Sequence, residues 1–216
     1  MKVEINKDIK LSEHLASPSE AALSQISELN GLRLSPHFTL GELTKTSYHT
    51  LDGNIPSRVA IENLKRLCIW LELLRNRYNE LYGDPQPISP PESGGARGGL
   101  NTSISPHVQT TPAPPNLGGE EDTDIPIIIS SGYRSEEVNR KCGGAKGSNH
   151  LTGCAVDIRC YGPEQMIRMA GILLDIADGT KQDFDELIQE KRGSTYWVHF
   201  AVRPKDNRRK ILFDCR

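Results

Sequence analysis

The sequence predicts an α+β fold in which a small antiparallel sheet packs with two main helices. Three observations carry this. Two long segments place apolar residues at three- and four-residue steps, the period of a one-sided helix. Five short runs are rich in β-branched and aromatic residues, the composition of strands. Between the first helix and the first strand, a stretch dominated by Pro, Gly, Ser and Thr offers too few apolar residues to offset chain entropy.

In chain order, residues 1–33 read as a polar N-terminal extension, with Pro18–Leu29 able to form a short helix capped by Ser17 and Glu20. The domain proper is expected over 34–216. Ser35-Pro36 opens a turn, and Thr39-Leu40-Gly41-Glu42-Leu43 reads as a short capped helix with Phe38 and Leu43 inward. His37 and His49 have no ligand-spaced neighbours and read as surface or capping residues. Pro56 then opens the best helix, with Val59, Ile61, Leu64, Leu67, Cys68, Leu71, Leu74 and Tyr78 on one face. Cys68 and Trp70 read as packing residues. Residues 85–124 are read as a flexible insertion, His107 included, because a structureless loop of that length is unusual inside a compact domain. A second amphipathic helix begins at Gly162-Pro163-Glu164 and carries Met166, Ile167, Met169, Ala170, Ile172, Leu173, Ile176 and Ala177 to Gly179. The expected strands are Ile125–Ser130, Cys154–Ile158, Phe184–Ile188, Trp197–Val202 and Lys210–Phe213.

Bulk properties narrow the function classes. The formal net charge is -2, against the cationic excess of nucleic-acid binders. No run of about 18 apolar residues is present to span a membrane, and the N-terminus lacks an apolar signal core. The five cysteines are odd in number and lack framework spacing, so free thiols are expected. A monomer is expected.

Chemistry concentrates between Ile127 and Ile158, with one further residue near the C-terminus. His150 and Asp157 stand seven apart in SNHLTGCAVDI, where Gly153 and the Ala-Val-Asp-Ile run indicate a loop entering a strand. His199, framed by Val198 and Phe200, belongs on an adjacent strand, with its ring on the face opposite its neighbours. Two histidines and one carboxylate suit zinc best among common metals, and a three-ligand site keeps a fourth position open for water. On spacing alone, two distant histidines and an Asp are more often unrelated. A competing reading groups Cys142, Cys154 and Cys160 with His150 as a structural zinc knot, but cysteine spacings of twelve and six are not the short pairs such knots use.

Several segments occur together and in order: Ser131-Gly132-Tyr133-Arg134-Ser135, Val138-Asn139, Gly143-Gly144, the S-x-H-x-x-G-x-A-x-D pattern from Ser148 to Asp157, and Trp197-Val198-His199. This set resembles the zinc D-Ala-D-Ala carboxypeptidase family. That group also includes VanX-type dipeptidases, phage L-Ala-D-Glu endolysins and the related Hedgehog-like fold. The opening from Ser35 to Thr46 and the Asn63–Arg75 helix resemble its phage and mobile-element branch.

The resemblance implies a zinc metallopeptidase that hydrolyses peptide bonds in peptidoglycan stem peptides, of D-Ala-D-Ala carboxypeptidase or L-Ala-D-Glu endopeptidase type. It implies zinc ligands at His150, Asp157 and His199. Arg134 would orient the substrate, because a guanidinium grips a carboxylate or carbonyl bidentately. Tyr133 would contact substrate, and Ser148 would line the pocket. Related enzymes often place an acid three residues before the last histidine, where this chain has Tyr196. The pattern of the phage-like branch puts the general base at Glu190 instead. The displaced acid motivates an alternative, a non-catalytic zinc-containing module that binds cell wall or a protein. The substrate expected lies in cell wall or periplasm, although no signal peptide is visible.

Overall fold

The computed structural model describes residues 29–83 and 124–215. The expected Pro18–Leu29 helix (but for Leu29 itself), His107 and nearly all of the insertion lie outside those residues. Helix α1 (Leu40–Thr44) is short and held by its cap: the Thr39 side chain accepts from the Glu42 N–H while the Glu42 carboxylate accepts from the Thr39 N–H. Phe38 and Leu43 point inward, as expected. Helix α2 (Arg58–Tyr82) starts at Ser57, whose hydroxyl accepts from the Ala60 N–H. Its buried stripe runs through Leu64, Leu67, Cys68, Leu71, Leu74 and Tyr78, with Trp70 against Phe200 at 5.3 Å between ring centroids. Val59 falls off that stripe and is exposed.

The C-terminal half supplies the sheet: β1 (Ile129–Ser131), α3 (Glu136–Lys141), a 3₁₀ turn (Asn149–Thr152), β2 (Ala155–Cys160), α4 (Pro163–Thr180), β3 (Glu186–Arg192), β4 (Thr195–Ala201) and β5 (Lys210–Cys215). The strands are ordered β1-β2-β4-β3-β5. The expected strands all form, most of them shifted along the chain by one or more residues. One expectation needs correction: the sheet is mixed rather than antiparallel. β1/β2, β2/β4 and β3/β4 are antiparallel, but β5 runs parallel to β3.

The physical reason lies in the connection after β4. One flank of β4 is taken by β2 and the other by β3, so the chain must cross the end of β3 to find an open edge. Asp185 pins that crossing. Its carboxylate is fully buried and accepts from Arg208 through Nε (2.8 Å), Nη2 (2.6 Å) and the backbone N–H (3.3 Å).

Alternation then divides the sheet into two faces. Val156, Ile158, Cys160, Val198, Phe200 and Leu187 face the helices and form the core with Leu64, Leu71, Met166, Met169 and Leu173. The opposite face carries Asp157, His199, Glu186 and Glu190, because cross-strand partners share a face and the register pairs Asp157 with His199 and Glu190 with Trp197.

Candidate metal centre

Asp157 and His199 are direct cross-strand partners at the centre of the sheet, and both are buried. His150 reaches them from the 3₁₀ turn that precedes β2. The Ser148 hydroxyl caps that turn by accepting from the His150 N–H at 3.3 Å. The turn ends at Gly153, whose φ of +70 is a left-handed conformation that favours glycine. Asn63 on α2 fastens the same turn by donating from Nδ2 to the Thr152 carbonyl at 2.8 Å. Ser148 therefore serves here as the cap that presents His150.

Three donor atoms converge. His150 Nε2 lies 3.3 Å from Asp157 Oδ1 and 3.3 Å from His199 Nδ1, and His199 Nδ1 lies 2.9 Å from Asp157 Oδ1. Ligands at zinc distances on a tetrahedron are separated by roughly 3.3 Å along each edge, so the three atoms fit one face of such a site. Among the described residues, these form the one group of His, Cys, Asp and Glu side chains arranged to hold a metal. The cysteine alternative does not form: Cys154 and Cys160 are buried free thiols and Cys142 is exposed.

Each of the three side chains is oriented from behind. The remaining nitrogen of His150, Nδ1, faces the Gly132 carbonyl at 2.6 Å. The remaining nitrogen of His199, Nε2, faces Glu186 Oε2 at 3.5 Å. The second oxygen of Asp157 accepts from Arg134 Nη2, while Arg134 Nε donates to Ser131 Oγ at 2.8 Å. Outer partners of this kind fix the ring tautomer and the carboxylate rotamer at metal sites. The structure thus gives Arg134 a contact with Asp157, which the substrate-orienting expectation did not include.

The electrostatics match. Burial pushes the Asp157 carboxyl upward, but the two histidines outweigh it and hold the group well below the usual carboxylate range. Burial also drives His150 down, toward the neutral imidazole that ligates a metal. In His199 the carboxylates of Asp157 and Glu186 outweigh burial and raise the pKa to about 9. The Glu186 carboxyl is lowered to about 2, chiefly by its bond to His199.

Glu190 lies on the same sheet face, opposite Trp197, and is thus a diagonal neighbour of His199 at roughly 7–8 Å between backbones. Its carboxyl is raised, first by burial and then by the negative charge of Asp157. Tyr196 sits on the other face, against the core, with Lys191 over its ring at 5.7 Å. An acid at position 196 would therefore point away from Asp157 and His199. Tyr133 also packs against the core, and its hydroxyl is raised by burial and by the charges of Asp52 and Glu136.

Glu186 is the residue whose contact with His199 sequence reasoning did not anticipate. Its signal was available: Glu186, Ile188 and Glu190 alternate on one strand face, and that face is the one His199 occupies. No curated protein matches the chain. Residues 119–187 match the family model described as Peptidase M15, so the chain is similar to that family over a span that includes Arg134, His150, Asp157 and Glu186.

Proposed function

We propose that the chain is a zinc-dependent peptidase acting on peptidoglycan stem peptides, with residues 34–216 as the peptidase domain and residues 1–33 and 85–124 as additions to it. The observation that carries the reading is the convergence of His150 Nε2, Asp157 Oδ1 and His199 Nδ1 at tetrahedral-edge spacing, with every ligand supported from behind. The peptidase class is supported by the family match. The substrate class rests on the motif resemblance.

Zinc held there would supply Lewis acidity and lower the pKa of water toward neutrality. The residues of the chain do the rest. Arg134 aims Asp157, and Glu186 fixes the His199 ring. Glu190 accepts a proton at its carboxylate and returns it to the departing amine, and its raised pKa brings it closer to the operating pH. Asp157, His199 and Glu190 share one sheet face, and His150 reaches it from its turn, so proton transfer and substrate activation occur on the same side.

Digestion of purified peptidoglycan, with products identified by mass spectrometry, tests the proposal. Cleaved stem peptides that disappear with a chelator and return with zinc are the expected result. Zinc binding with stem-peptide retention but no cleavage would instead mark a binding module.

A further inference from the structure

The edge strand β5 carries Ile211, Leu212 and Phe213, with relative exposures of 46%, 44% and 61%. Among the described residues no strand pairs with its outer side. An exposed apolar edge is a template for another strand, and proteins ordinarily blunt such edges with proline, bulges or repelling charges. β5 has no proline. Its charges are arranged differently: Lys210 and Asp214 stand two residues either side of Leu212.

The backbone parity of the edge follows from one bond. The Lys210 N–H donates to the Asp185 carbonyl at 3.0 Å, in the direction of β3. In the parallel β3/β5 ladder, residues 210, 212 and 214 therefore turn their N–H and C=O groups toward β3. Ile211 and Phe213 turn theirs outward. An antiparallel partner needs to meet these two residues with hydrogen-bonded pairs.

We propose that β5 pairs with β5 of a second copy of this chain, antiparallel about a twofold axis at Leu212. That register makes Ile211 and the second copy's Phe213 a hydrogen-bonded pair, and the converse pair follows by symmetry, so all four outward-facing groups on each strand are used. It opposes Leu212 to its own copy as a non-hydrogen-bonded pair, where side chains approach most closely. It also sets Lys210 opposite Asp214 on both sides of the axis, an opposite-charge cross-strand pair. Any other register loses either the charge match or the backbone match. The two sheets become continuous, and both candidate metal centres lie on the same face, with the two His199 strands separated by five inter-strand steps or roughly 24 Å. This arrangement departs from the monomer expected from the sequence and does not depend on the peptidase reading.

Sedimentation equilibrium of the full chain tests it. The chain of 24.0 kDa should approach twice that mass as concentration rises. Leu212→Lys, which opposes two ammonium groups at the axis, should weaken association about tenfold or more. The decisive arm mixes two variants. Lys210→Asp alone opposes Asp to Asp, and Asp214→Lys alone opposes Lys to Lys, so each should be impaired. Mixed together they place Asp opposite Lys at both sites, and association should return. A wild-type chain that stays monomeric at roughly millimolar concentration would overturn the proposal. So would a dimer that both single variants leave intact, or one that their mixture fails to restore.

Discussion

Replacing Glu186 with alanine tests the idea that the sheet prepares His199 for metal. Glu186 is only 15% exposed at its side chain and is anchored on both oxygens. Oε2 accepts from Asn149 Nδ2 at 3.0 Å, and Oε1 faces Arg208 at 3.1 Å and Lys210 at 3.2 Å. The carboxylate is thus held in place before any metal arrives, facing His199 Nε2. That contact favours the tautomer with its proton on Nε2, which leaves the Nδ1 lone pair directed at Asp157 and His150. Loss of such an outer partner lowers metal affinity by about 10–100-fold, or roughly 1.4–2.7 kcal/mol. Glu186→Gln keeps an acceptor oxygen and should fall between the wild type and Glu186→Ala. Competition against a fluorescent zinc chelator measures the affinities, with thermal unfolding of the metal-free chains as the control for folding. A folded Glu186→Ala chain that binds zinc as tightly as the wild type would refute the reasoning.

Three further outcomes are expected. Glu190→Gln should retain zinc yet lose about 10²–10⁴ in kcat on stem peptides, because it removes the proton acceptor and none of the metal ligands; unchanged turnover would exclude Glu190 as the base. Zinc affinity should depend on pH above neutrality, since the metal must displace the proton that His199 holds up to a pKa of about 9. The sign follows: binding weakens as pH falls, by about tenfold per unit below 9, whereas an ordinary histidine would give a flat response between pH 7.5 and 8.5. Gly153→Ala should destabilise the domain, because φ is +70 there and a Cβ would stand 2.5 Å from the Ala60 carbonyl oxygen. The cost is about 2 kcal/mol, equivalent to roughly 4–8 °C in thermal melting.

Much of this arrangement was legible before any coordinates. The 3.6-residue period placed α2 and α4, and the short β-branched runs placed the strands. That Asp157 and His199 face away from the core was legible because each sits between apolar core residues, so alternation turns them to the opposite face. Cross-strand register was not legible. It decides that Asp157 meets His199, that Glu186 stands behind the ring, and that Tyr196 faces the core while Glu190 does not. The parallel placement of β5 was hidden for a similar reason. It depends on Asp185 gathering Arg208 and Arg203 from a loop well downstream in the chain, a buried ion cluster with no local pattern. Arg134 was expected to be functional from its motif, but its bond to Asp157 needs β1 and β2 side by side.

The most direct measurement is the metal content and ligand set of the purified chain, by elemental analysis together with X-ray absorption at the zinc edge. One zinc per chain is expected, with two imidazoles and oxygen donors at roughly 2.0–2.2 Å and no sulfur. His150→Ala should lose that metal while remaining folded. Sulfur in the coordination shell, or full metal retention by His150→Ala, would contradict a site built from His150, Asp157 and His199.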